Sequence, residues 1–175
     1  MTSIKSMHLM AKNAAKELAS NYTSTPIDTI VCLDGTEIIG AFLANELCKT
    51  SLAGMNSNQD IAVLTPEVNS SNQMLFRDNV QKMIWEKNIL LLVASVSTGK
   101  TINRALDCVH YYGGKIGGIC ALFSVIDEVH GTEINRIFGN DDVPDYKNFS
   151  GSACPFCKEG RKIDAIVNSY GYSKL

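Results

Sequence analysis

The segment Ile89–Thr101, ILLLVASVSTGKT, constrains the fold of this chain more than any other. An unbroken apolar run from Ile89 to Ala94 does not alternate as a half-solvated strand would. It predicts a strand covered on both faces, as in a parallel sheet. Small and hydroxyl residues follow, and Ile102, Ala105, Leu106, Val109 and Tyr112 then recur at helical spacing up to Gly113-Gly114. A strand that turns directly into a helix leaves the first helical N–H groups unpaired at the positive end of the dipole. With hydroxyls from Ser97, Thr98 and Thr101, a close backbone approach at Gly99 and a charge from Lys100, this turn predicts a phosphate-binding loop. The alternative is a turn capped by Ser and Thr that binds nothing.

The rest of the chain repeats the alternation. Residues 4–19 carry Ile4, Met7, Ala11, Ala14, Ala15 and Leu18 on one helical face, and Ile27–Leu33 reads as a strand. Asp34-Gly35-Thr36-Glu37 is a turn before an amphipathic helix through Ile38, Ile39, Phe42, Leu43 and Leu47. A loop at Thr50–Gln59 precedes a short strand at Asp60–Leu64. Thr65–Asn72 is polar and loop-like, and Gln73–Phe76 suits a short edge strand. Lys115–Ile126 is a second long apolar strand, Glu133–Phe138 a further one, and a last helix is expected near Ile163–Tyr170. The pattern predicts an α/β fold: a single domain with a mostly parallel central sheet flanked by helices.

At 175 residues, one such domain is the economical reading. A net charge of −2 supplies no broad basic field, which argues against nucleic acid as a partner. The longest apolar run falls far short of the ~20 residues that cross a bilayer, and the charged N-terminal segment is not an export signal. No membrane association and a cytoplasmic location are therefore expected. Cys32, Cys48, Cys108 and Cys120 fall in apolar strand or helix patterns and read as small buried hydrophobes. Asp127, Glu128 and His130 read as a solvated loop, and Trp85, Tyr111 and Tyr112 as core or interface residues.

Order and spacing together resemble the type I phosphoribosyltransferases, especially those similar to orotate phosphoribosyltransferase. The signature of that family is four apolar residues, two acids, two further apolar residues, and a small loop ending in Thr-Gly-x-Thr/Ser. Ile89–Leu92, Thr98, Gly99 and Thr101 match it in register. Ile27–Leu47 resembles the family's first strand, pyrophosphate-side loop and following helix, and residues 65–88 stand where the family has a flexible hood. The resemblance spans roughly residues 4–140. It implies that Ser97, Thr98, Gly99, Lys100 and Thr101 hold the 5′-phosphate of phosphoribosyl pyrophosphate. It further implies that Asp34, Gly35, Thr36 and Glu37 line the pyrophosphate side with Mg²⁺, and that Phe123, Val125 and Asp127 meet the base. A homodimer and the activity of a glycosyltransferase of nucleotide metabolism are implied as well.

The family's acidic pair is absent, with Val93 and Ala94 in its place. Apolar side chains cannot accept hydrogen bonds from ribose hydroxyls or favour positive charge on a sugar. Ser97 stands where purine-salvage relatives carry a catalytic acid, and Arg77 is the only cation of the hood segment 65–79. A phosphoribosyltransferase-like protein that binds phosphoribosyl pyrophosphate, a sugar phosphate or a nucleotide is expected, and a catalytically inactive binding or regulatory protein remains open beside an enzyme. A third reading is a P-loop protein, since Ala94-x4-Gly99-Lys100-Thr101 fits that pattern with Ala for the first Gly. Its loop, however, normally follows the first strand of the domain.

Residues 1–153 are read as the phosphoribosyltransferase-like unit, and 154–175 as a Cys-x-x-Cys turn and helix belonging to the same domain. Cys154 and Cys157 supply two ligands where structural Zn²⁺ takes four, so a metal would need further ligands or a second copy. A redox pair and a pair of free thiols are the other readings.

Overall fold

A computed structural model describes residues 1–49, 56, 59–149, 153–168 and 171–175. The loop expected at Thr50–Gln59 lies mostly outside them. The strands of the main sheet are β1 (Thr29–Cys32), β2 (Ala62–Leu64), β5 (Asn88–Val96), β6 (Lys115–Ser124), β7 (Glu128–Val129) and β8 (Thr132–Phe138). Their spatial order is β2-β1-β5-β6-β8-β7. All neighbours are parallel except β7 and β8, which form an antiparallel hairpin at the edge.

Alternation along the central strands divides the core in two. Ile30, Cys32, Leu90, Leu92, Cys120 and Leu122 point to one face, under α2 (His8–Ala19) and α3 (Glu37–Lys49). Val31, Leu91, Val93, Ile119 and Ala121 point to the other, under Ile102, Ala105 and Val109 of α5 (Lys100–Tyr111). Leu90, Leu91 and Leu92 are all fully buried, each contributing about 1.5–3 kcal/mol by leaving water. Burial on both faces is why this strand reads as an unbroken apolar run. α3 comes so close to the sheet that a Cβ on Gly40 would lie 2.4 Å from Cys32 Sγ. No helix among the described residues is long and apolar enough to cross a membrane.

Several local expectations are corrected. The helix expected over 4–19 is two, α1 (Thr2–Ser6) and α2, separated by extended backbone at Met7. Met7, expected on the buried face, is exposed. The polar stretch after Pro66 contains β3 (Glu67–Val68), paired antiparallel with the expected edge strand, β4 (Met74–Leu75), and the one-turn α4 (Asp78–Gln81) follows. Glu128 and Val129 form β7, and His130 and Gly131 make its turn with φ of 50° and 76°, a pair of left-handed residues suited to a tight hairpin.

The helix expected at 163–170 is not formed. After the short α6 (Pro155–Lys158), Ala165–Asn168 is β9 and pairs antiparallel with β10 (Gly171–Lys174); residues 169–170 lie outside the described ones. Ile163, Ile166 and Val167 fit helical spacing, but adjacent β-branched residues suit a pleated strand, and Gly171 at φ 139° adopts a backbone that L side chains rarely take. Trp85 and Tyr111 are exposed rather than core, although the Trp85 ring covers the Gly113 turn.

Candidate phosphate-binding site

Because β1, β5 and β6 are parallel, the loops that follow them emerge at the same end of the sheet, where α/β proteins bind ligands. Backbone hydrogen bonds hold them in line: Leu33 N–H donates to Leu92 O at 2.8 Å, and Val125 N–H to Val96 O at 3.0 Å. The three sequence segments singled out at 34–37, 97–101 and 123–127 are thereby gathered at one end.

At the central loop, Ser95 and Thr98 are exposed, Ser97 and Thr101 half-buried, and Gly99 buried. Gly99 is the N-cap of α5 at φ 72°, with no side-chain cap and no acid in the first turn. A Cβ there would meet Ile126 Cδ1 at 3.3 Å and Val129 Cγ2 at 3.4 Å, besides being strained by the positive φ. A glycine cap brings no side-chain oxygen to the first N–H groups of α5, which lack an intrahelical partner. Residues Ser95–Ile102 line a hollow of about 40 Å³. This is room for one small group and not for a whole nucleotide.

The loop after β1 divides its residues between structure and surface. Thr36 is fully buried, and its hydroxyl lies 2.9 Å from Leu33 O and 3.2 Å from Leu92 O, so its donor is engaged by the sheet. Asp34 and Gly35 are exposed and left-handed, with φ of 57° and 74°. Glu37 is exposed and accepts from the Thr65 hydroxyl at 3.0 Å, joining the loop to the root of the hood. Desolvation by the packed loop raises the Asp34 pKa above the usual carboxylate value even though its rim is in water, and the nearby Lys5 opposes the shift.

Lys5 was not singled out in the sequence. It is buried, and its ammonium donates to Asp34 O at 2.7 Å, which places a cation at the first loop. The break at Met7 leaves α1 free to turn this residue inward. In helical spacing Lys5 lies off the apolar face of Ile4, Met7 and Ala11, on the side of Lys12 and Lys16, so periodicity carried no sign of it.

At the third loop, Phe123 is buried and meets Tyr146 edge-to-face, with ring centroids 5.1 Å apart. Ser124 is fully buried and donates to Ile126 O at 2.6 Å, closing the turn. Val125 is half-buried, while Asp127 is exposed and paired with Arg136, whose guanidinium also donates to Ile126 O at 3.3 Å. Tyr146 and Arg136 gave no signal in the sequence, since their partners are set by the return of the chain after β8.

Val93 and Ala94 are buried, and Val93 belongs to the core beneath α5. Neither offers a polar atom. The hood cation Arg77 is held by Glu67 through contacts of 2.8 and 2.6 Å across the β3–β4 hairpin. Arg104 of α5 donates to Asn72 O at 3.3 Å and fastens the hairpin to the helix.

No protein-family model matches the sequence, and no curated protein matches it by sequence similarity. Solved structures do match in fold. The adenine phosphoribosyltransferase of Thermoanaerobacter pseudethanolicus is 15% identical, with a TM-score of 0.59 over 79% of this chain and 84% of that one. A hypoxanthine-guanine phosphoribosyltransferase of Bacillus anthracis is 18% identical, with a TM-score of 0.52 over 75% and 78%. The orotate phosphoribosyltransferase of Mycobacterium tuberculosis is 11% identical, with a TM-score of 0.57 over 79% and 78%. The parallel sheet, the three gathered loops and these likenesses lead to one conclusion: the chain has the fold of the type I phosphoribosyltransferases.

Proposed function

We propose that this protein binds a phosphorylated small molecule, a sugar phosphate or nucleotide of the phosphoribosyl pyrophosphate type, with its phosphate in the hollow of Ser95–Thr101. The observation that carries this reading is the left-handed Gly99 at the N-terminus of α5, which leaves helical N–H groups beside a small hollow with hydroxyls around it. Asp34 and Lys5 at the neighbouring loop suit the second, diphosphate end of such a ligand. Mg²⁺ commonly keeps several waters and takes one or two protein carboxylates together with substrate phosphates, and exposed Asp34 is the residue that would hold it.

Binding without turnover is favoured by one specific observation. Val93 and Ala94, which stand where the resemblance implies ribose-binding acids, are buried and apolar. Glycosyl transfer needs stabilisation of a positively charged sugar, and these side chains supply none. Likeness to adenine, hypoxanthine-guanine and orotate enzymes alike leaves the base unselected.

Calorimetric titration with phosphoribosyl pyrophosphate, ribose 5-phosphate and nucleoside monophosphates tests the proposal. Heat with at least one of them, lost in Thr98→Ala or Gly99→Ala variants that remain folded, is expected. Absence of heat at millimolar concentrations of all three would remove it. A product assay with a panel of bases separates an enzyme from a binding protein.

A further inference from the structure

The Cys-x-x-Cys element lies outside the site above, and its two cysteines differ from the others of the chain. Cys32, Cys108 and Cys120 are buried, and burial raises the first two to about 12 and about 11 and the third well above the ordinary thiol value. Cys48 is half-buried and donates to Gln59 O at 3.1 Å. Cys154 is half-buried and Cys157 exposed; Cys154 is the extended N-cap of α6 and Cys157 its third residue. Among the described residues no third His, Cys, Asp or Glu joins them in a group that could hold a metal ion.

The turn is held together by its own contacts. Pro155 stands in its first position, and Lys158 N–H and Glu159 N–H donate to Cys154 O and Pro155 O at 3.3 and 3.0 Å. Arg161 N–H closes onto Phe156 O at 2.9 Å, its guanidinium lies 5.1 Å from the Phe156 ring centroid, and it pairs with Glu159 at 2.8 Å. The side chains of an N-cap and the third helical residue face each other, so the two sulfurs are neighbours on this turn.

The geometry points to Cys154 and Cys157 as a thiol–disulfide exchange site for low-molecular-weight disulfides, with Cys154 attacking and Cys157 resolving. In the first step the Cys154 thiolate forms a bond to one sulfur of the small disulfide, and the other sulfur leaves as a thiolate. In the second, Cys157 gives its proton to solvent and attacks Cys154 Sγ, expelling the second small thiolate. Both leaving thiolates take up protons. The net change is oxidation of two cysteine thiols to one disulfide and reduction of the small disulfide to two thiols.

The two sulfurs are unequal in the sense these roles require. The Cys157 backbone N–H, then its thiol, then the Phe156 N–H face the Cys154 sulfur and lower its pKa. They act through the local field, without a formed side-chain cap. Cys157, beside that sulfur, is raised. A thiol with the larger thiolate fraction attacks first, and its neighbour resolves.

The test uses the full chain, purified without an affinity tag and incubated with reduced and oxidised glutathione in varied ratio, followed by thiol trapping and peptide mass analysis. A Cys154–Cys157 disulfide is expected while Cys32, Cys108 and Cys120 remain thiols. Cys157→Ser should accumulate a glutathione adduct on Cys154, and Cys154→Ser should react roughly three- to tenfold more slowly. Thiols that persist at 154 and 157 in oxidised glutathione alone would overturn the assignment. So would a Cys157→Ser protein without adduct, or thiols protected by zinc at half an equivalent per chain.

Discussion

The ammonium of Lys5 donates to the main-chain carbonyl of Asp34 at 2.7 Å, tying the first helix of the chain to the loop that ends its first strand. The bond engages the main chain of Asp34 and keeps a positive charge near its carboxyl group. Lys5→Met should therefore weaken binding of a diphosphate-bearing ligand more than of a monophosphate. Loss of one charge-assisted contact is worth about 1–2 kcal/mol, or roughly five- to thirtyfold in affinity. Parallel titrations with phosphoribosyl pyrophosphate and ribose 5-phosphate check it, and equal loss for both would place Lys5 outside the ligand's reach.

Asp34 also makes a prediction about pH. Its pKa is raised in the folded protein, chiefly by desolvation, so ionisation costs folding stability. Asp34→Asn should melt at higher temperature than the parent at neutral pH, and asparagine tolerates the φ of 57° well. Below the unfolded carboxylate pKa both side chains are neutral and the curves should meet. As pH rises through the raised folded pKa, the parent loses stability and the variant does not. A Tm difference that stays constant down to acid pH would contradict this origin.

Thr36 distinguishes a structural hydroxyl from a ligand-binding one. Its hydroxyl is buried against Leu33 O and Leu92 O, joining α3 to β1 and β5. Thr36→Val should cost about 1–3 kcal/mol in denaturant unfolding, the penalty for a buried acceptor left without its donor. Thr36→Ser should recover most of it.

How far this was legible depends on range. The central strands, the helix after the loop and the glycine at its start were readable because local pattern and tertiary burial agree at Ile89–Tyr112, whereas the positive φ of Gly99 was not foreseen. Strand order brings the loops holding Asp34, Thr98 and Phe123 to one end of the sheet, an arrangement that the resemblance implied and that periodicity alone does not show. Lys5, Tyr146 and Arg136 escaped because a side chain's long-range partner leaves no periodic trace. At 163–170 the spacing of Ile163, Ile166 and Val167 fitted a helix while their β-branched side chains suited a strand, and the strand prevailed. Thr36 was legible as part of the turn before α3, but its bond to Leu92 O depends on β1 lying beside β5.

The acidic pair missing from β5 yields the last prediction. Successive side chains of a strand alternate, so Val93 faces the core beneath α5 while Ala94 faces the other side, one residue before exposed Ser95. A carboxylate at Val93 would enter the apolar cluster that holds its register partner Ala121 together with Leu33 and Ile102. Val93→Asp should cost at least about 3 kcal/mol, the consequence of an unpaired charge in a packed core. Ala94→Asp, nearer the open end of the strand, should cost less. Urea denaturation of both variants measures the difference. If Val93→Asp proved as stable as the parent, the position would have to be open to solvent, and one substitution could begin to restore a sugar-binding acid. The packing around Val93 argues the reverse: recovering that acid requires rebuilding the core beneath α5 as well.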